Sequence, residues 1–150
     1  MLGVTRIGVH AGPAIVGNFG GNRFFDYTAY GDTINIAARL EAANKQLGTR
    51  ICVSAILAAK VKEFRGRPVG DLMLRGRTEA LPAFEPLSVK QYEDPATKSY
   101  LEAFAKLEVA DPGAMAAFAA HVGKHADDQL ASFHLKRLLN GANGTQIEMD

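Results

Sequence analysis

The chain has 150 residues, 47% of them hydrophobic and none in a low-complexity tract, enough for one domain with a buried core and an appendage. Lys and Arg number 17 against 16 for Asp and Glu, so no net field favours nucleic acid or an anionic membrane, and an anionic ligand must be met by local charges. No apolar run approaches the ~20 residues that span a bilayer, no signal-peptide pattern is present, and the one cysteine, Cys52, is expected to be a buried reduced thiol; a soluble, cytoplasmic protein fits.

The opening residues enter a strand pattern at about Val4 without a leader or cap, as though starting in mid-domain. Residues 5–12 (TRIGVHAG) alternate towards the turn dipeptide Gly12-Pro13, and 14–21 (AIVGNFGG) resume the apolar run, predicting a β-hairpin. Residues 22–25 read as loop and 26–30 as a short Tyr/Thr-rich strand. After Gly31, Asp32 or Thr33 can accept from the free N–H groups that open a helix. From Ile34 on, Ile36, Leu40, Ala43 and Leu47 keep helical spacing, and Gly48 is a suitable stop, giving a helix of about four turns.

Further along, 49–53 reads as a strand and Ser54 as the cap of a short helix through Lys62. Residues 68–74 and 83–89 read as two more strands joined by a turn at Arg75-Gly76-Arg77-Thr78. Strands separated by single helices, with two hairpins, predict an α+β fold, a mixed sheet with helices on one face. Composition shifts near Tyr92, dividing the chain into 1–90 and a helical tail of 91–150. The tail reads as three short helices: 97–109 with Tyr100, Leu101, Phe104 and Leu107; a second opened by Asp111-Pro112 and carrying Met115, Phe118 and Val122; and a third opened by Asp127 and Asp128 and closed by Asn140-Gly141. Its aromatic and leucine stripes are expected to pack on one another.

Few residues invite chemistry. Asn35 and Arg39 are four apart, so they share one helix face, which is not the face of Ile36 and Leu40. A guanidinium fork suits a phosphoryl group and an amide both donates and accepts, so the pair can orient a sugar phosphate; a solvated face with Arg39 bonded to Glu41 or Asp32 is the alternative, and spacing leaves both open. Arg75 and Arg77 lie in the predicted turn, where simple solvation accounts for both. His10 reads as a structural histidine. His121 and His125 have two-point metal spacing, but no third ligand lies nearby, and His134 belongs to the tail packing.

Three blocks, RIGVHAG, VGNFG and DYTAYGDTINIAARLE, resemble in order, spacing and residue type the second half of the class III adenylate and guanylate cyclase catalytic domain, over about residues 4–88. The resemblance implies a partial, ferredoxin-like nucleotidyl cyclase fold with a mixed, mainly antiparallel sheet, and a bacterial adenylate cyclase that turns ATP into cyclic AMP and pyrophosphate. It implies a head-to-tail homodimer whose active sites are shared across the interface. By the same resemblance Asn35 positions the ribose, Arg39 stabilises the α-phosphate in the transition state, Thr28 reads the purine, and Arg75, with Arg77 beside it, meets the triphosphate. Threonine at 28 favours adenine without excluding guanine. The two Mg2+ or Mn2+ ions of the family are held by aspartates in its first half, upstream of RIGVHAG. Asp26 and Asp32 do not match them and are assigned to a strand edge and a helix cap, so no metal site is expected here and the chain alone is expected to be inactive. Any membrane anchor would belong to upstream segments. A non-catalytic dimerisation or regulatory module is the other reading.

Overall fold

A computed structural model describes residues 5–11 and 23–150, with side chains of the first helix described from Thr33 onward. Its elements run β1 (Ile7–Val9), α1 (Arg23–Leu47), β2 (Ile51–Ser54), α2 (Ala55–Ala58), β3 (Gly66–Met73), β4 (Leu81–Pro86), α3 (Val89–Tyr92), α4 (Pro95–Glu108), α5 (Ala114–Lys124), α6 (Gln129–Leu139) and β5 (Gln146–Glu148). The sheet order is β1-β2-β4-β3-β5. The β2/β4 and β4/β3 pairs are antiparallel, whereas β1/β2 and β3/β5 are parallel. This is the expected α+β class, with a mixed sheet and the β3–β4 hairpin in place.

Helix α1 lies on β1 and β2, and its apolar stripe is the one that the sequence marks. Ile36, Leu40, Ala43 and Leu47 are buried, while Asn35 and Arg39 face outward. Two features fix the helix against the strand. A β-carbon on Gly8 would stand 2.2 Å from the Glu41 nitrogen and 2.3 Å from the Ala37 oxygen, so the glycine of RIGVHAG lets helix and strand backbones touch. Asn44, fully buried, donates from Nδ2 to the Ile7 carbonyl (2.9 Å) and accepts from Thr49 Oγ1 (2.6 Å), which satisfies its amide without water. Gly48 ends the helix at φ +80°, a conformation costly for other residues.

Several boundaries differ from expectation. The expected strand at 26–30 is helical, and α1 starts at Arg23 rather than near Ile34. A strand needs a neighbour to satisfy its backbone, whereas a helix closes its own hydrogen bonds, and this outweighs the strand preference of Tyr27, Thr28 and Tyr30. The second strand of the expected 5–21 hairpin lies outside the described residues. Ser54 caps α2 as expected, its Oγ accepting from the Leu57 N–H (3.3 Å), but the helix stops at Ala58. The strand expected to reach Val89 ends at Pro86, because Ser88 and Gln91 form a capping box that opens α3.

In the tail, α4, α5 and α6 take the three expected places. The second is capped two residues late: Asp111 Oδ1 accepts from the Gly113 N–H (2.7 Å) in a turn, and Gly113 is the N-cap. Asp128 caps α6 by accepting from Ala131 N–H. Met115 is exposed, but Tyr100, Phe104, Leu107, Phe118, Leu130 and Leu138 join Leu40, Leu47 and Leu72 in one core. The tail aromatics therefore pack on the sheet as well as on one another. A strand that the sequence gives no sign of, β5, returns to pair with β3 through Asp71↔Gln146, Leu72↔Ile147 and Met73↔Glu148.

Candidate functional site

The outward face of α1 looks onto a cleft of about 710 Å³ whose lining includes Asn35, Ala38, Arg39 and Ala42 from the helix, Leu74 and Arg75 after β3, and Met149 and Asp150 after β5. The two alanines leave the floor open. The turn after β3 is closed by the Arg77 N–H donating to the Leu74 carbonyl (3.0 Å). Arg39 reaches across to this turn: its terminal nitrogen lies 3.9 Å from where a β-carbon on Gly76 would sit. Asn35 and Arg39 thus share one cavity with Arg75, which lies far along the sequence. Arg77 is exposed on the same turn but is not among the lining residues. Thr28 lies in the first turns of α1 and its side chain lies outside the described residues, as do those of Asp26 and Asp32.

Arg39 does not pair with Glu41, and among the described residues neither Arg39 nor Arg75 has a carboxylate within ion-pair distance. Arg39, Lys45 and Arg75 set three cations around the cleft against the single acidic side chain of Asp150. Such a cavity suits a ligand with several negative charges. Lys45, Gln46, Met149 and Asp150 are lining residues that sequence reasoning did not find. Gln46 extends the stripe Asn35, Arg39, Ala42 at helical spacing, so periodicity held its signal; Met149 and Asp150 arrive through a pairing with no local signature.

A larger cleft, about 870 Å³, opens between the C-terminal end of α1 and the tail, with Arg67, Glu85 and Asp128 in its lining. Its three largely buried charges, Arg67, Glu85 and Asp128, are paired with one another. Arg67 donates to Glu85 (2.6 Å) and through two nitrogens to Asp128 (2.8 and 3.0 Å), and its guanidinium lies 4.5 Å over the Tyr100 ring. Burial works against both charges, yet the Asp128 contacts and the Glu85 charge hold Arg67 protonated more firmly than usual, and Arg67 keeps the Asp128 carboxyl below its ordinary range.

The histidines are structural. The His10 Nδ1 is 2.9 Å from Ser54 Oγ. His121 has Ser99 Oγ on one ring nitrogen and Asp128 on the other, both at 2.8 Å, leaving no lone pair for a metal shared with His125. His134 donates from Nε2 to the Val69 carbonyl, and burial pushes its pKa down to about 3, helped by the Arg137 charge. Burial pushes the Cys52 thiol up to about 12, helped by the Glu85 charge, so it stays protonated and unreactive. No helix among the described residues is long and apolar enough to cross a membrane.

Residues 3–88, more than half of the chain, match the Adenylate and Guanylate cyclase catalytic domain, and the chain belongs to that family. It is 42% identical over 86 residues to adenylate cyclase 1 of Rhizobium meliloti (strain 1021), an alignment covering 57% of this chain and 13% of that protein. It is 29% identical over 85 residues to the terminal-differentiation specific adenylate cyclase of Dictyostelium discoideum (54% and 4%) and 29% identical over 83 residues to an adenylate cyclase of Anabaena cylindrica (53% and 16%). The chain thus spans less than a fifth of the length of each of these relatives. No solved structure matches it at a significant level.

Proposed function

We propose that residues 1–90 supply the substrate-orienting part of an adenylate cyclase site, which closes ATP to cyclic AMP with loss of pyrophosphate, and that the helical tail, 91–150, is its brace. The observation that supports this reading is the single cleft that gathers Asn35, Arg39 and Arg75, with no carboxylate paired to either guanidinium group among the described residues. Asn35 presents a donor and an acceptor to the ribose, so that the 3′-oxygen faces the α-phosphorus. Arg39, held across the cleft against the turn, stabilises charge that grows on the α-phosphate oxygens as the bond to pyrophosphate breaks. Arg75 and its neighbour Arg77 meet the β- and γ-phosphates, and Thr28 contacts the purine. Phosphoryl transfer leaves a protein little covalent work, so preorganised charge of this kind carries much of the rate.

The family generally works with Mg2+ or Mn2+. The donor set here does not fit such an ion: among the described residues no three His, Cys, Asp or Glu side chains converge, and the cleft is cationic but for Asp150. The ligands belong to another part of the assembled enzyme, provided by the upstream half or by a second catalytic domain in a head-to-tail homodimer. On this reading the chain needs that part for turnover.

The test is cyclic AMP formation from ATP and Mn2+ by the chain alone and by the chain mixed with a cyclase domain that carries the metal-binding aspartates. Activity is expected only in the mixture, and Arg39→Ala should lower kcat by about a hundredfold or more with unchanged association. Robust turnover by the chain alone refutes the division of labour, and an undiminished Arg39→Ala mixture refutes the role of the cleft.

A further inference from the structure

We propose that the segment Gln146–Asp150 is an acidic strap that competes with polyanionic ligands for the Arg39–Arg75 end of the cleft; this rests on the reading of that cleft as a nucleotide site. The strap has a firm base and a loosely held tip. At the base, β5 pairs with β3, Ile147 is buried in the core, Thr145 Oγ1 donates to Asp71 (2.7 Å), and Arg137 donates to the Gln146 carbonyl (2.9 Å). These contacts set the strap against the strand that leads into Leu74 and Arg75.

The tip is different. Beyond β5, Met149 still packs its side chain against the core and donates its N–H to the Met73 carbonyl (3.1 Å). The tip proper, Asp150, is held by one side chain of α1: Gln46 accepts from the Asp150 N–H at 3.4 Å and donates to the neighbouring Glu148 carbonyl at 3.3 Å, both exposed and at the long end of hydrogen-bond range. Gln46 lies on the same helix face as Asn35 and Arg39, so the residue that holds the tip belongs to the cleft wall. Asp150 then sits in the cavity as its one acidic side chain, without an ion pair to Arg39 or Arg75. Its field opposes an entering triphosphate, while the guanidinium groups stay uncommitted and available. A ligand that binds there gains by displacing the tip, and the bonds that break are exposed and weak.

Isothermal titration of the 150-residue chain with inorganic tripolyphosphate and with ATP, at low ionic strength, tests this, with circular dichroism confirming the fold of each variant. Asp150→Asn should bind tripolyphosphate about threefold to tenfold more tightly, with the gain mostly lost near 0.5 M salt, as expected for one charge removed beside a multiply charged ligand. Gln46→Ala, which keeps the charge but frees the tip, should also tighten binding. Unchanged or weaker binding by both variants, with binding lost in Arg39→Ala, overturns the strap and leaves the nucleotide cleft standing. Arg39→Ala binding as well as the unmodified chain overturns the reading of the cleft, and the strap with it.

Discussion

Replacing Arg67 by methionine keeps an apolar stem of similar length over Tyr100 but removes the cation to which Asp128 and Glu85 both turn. All three side chains are largely buried, with exposures of 14% for Arg67, 17% for Glu85 and 12% for Asp128, so solvent does little to screen the loss. Breaking a buried pair by removing one partner costs about 3–5 kcal/mol, because the other charge stays desolvated. The loss should lie near the middle of that range, since Asp128 retains His121 and the Ala131 N–H. For a chain of this size that lowers Tm by roughly 10 °C.

The pH dependence separates this account from a simple packing defect. In the unmodified chain the Asp128 pKa is depressed on folding, so its contribution is present above the unfolded carboxylate value and is lost as pH falls through the folded one. In Arg67→Met that contribution is gone at every pH, so the gap between the two proteins should narrow in acid. Urea unfolding followed by circular dichroism at pH 7 and near pH 3.5 measures it. Asp128→Asn, which keeps a good N-cap, should shrink the cost of Arg67→Met when the two are combined. A cost below about 1 kcal/mol at pH 7, as for an exposed pair, or a cost unchanged by Asp128→Asn, refutes the reasoning.

Gly8→Ala should destabilise the chain by about 3 kcal/mol, because its methyl would meet the backbone of α1 at Ala37 and Glu41; a urea midpoint unchanged from the parent would contradict the close approach. His134 is neutral when folded, with a pKa near 3, but protonates near 6.5 when unfolded, so stability should fall with pH between those values. The slope should reach about tenfold in the folding constant per pH unit, and His134→Gln should flatten it in a denaturation series from pH 4.5 to 7.5. Gly70, at φ +146°, leaves the space that Ile147 Cδ1 fills, so Gly70→Ala should reduce amide-exchange protection across β5; Ile147→Ala combined with it should recover part of the loss, and purely additive effects would show that the two residues do not share the space.

What could be read from the sequence follows the range of the interactions. The buried stripe of α1, the outward Asn35–Arg39 face, the Gly48 stop and the Ser54 and Asp128 caps are set within a few residues and were legible. The capping box at Ser88 and Gln91 was written in the same code, but the apolar run before it drew the strand too far. The helical start of α1 runs against the β-favouring Tyr and Thr residues there, and only a competition between backbone partners decides it. β5 is three residues long, and Gln-Ile-Glu has no period to detect; its place depends on Gly70 and Asp71, about 75 positions earlier. The cleft shows the same divide. Its helix wall was visible as spacing, whereas the wall at Met149 and Asp150 is a product of tertiary pairing.

Strand β3 explains why the tail and the cleft belong to one argument. Near its start Arg67 receives the cap of α6, and just beyond its end Arg75 enters the cleft, roughly 25 Å away along an extended backbone. Between them the strand is paired on both sides, by β4 and by β5, so it cannot shift at one end without disturbing ladders along its length. The tail holds it along its length, through Asp128 at Arg67, Tyr100 at the Pro68 carbonyl, His134 at the Val69 carbonyl and Ile147 beside Leu72. Loss of the Asp128 contact should therefore loosen α6 while β5 still fixes Leu72 and Met73, leaving the approach to Arg75 in place. Loss of the Ile147 anchor should do the reverse, releasing the cleft edge while Arg67 stays docked. A tail that served only to cover apolar surface would give one shared response to both changes, so separate effects in hydrogen exchange of α6 and of Leu74–Arg75 are the result expected of a brace for the cleft.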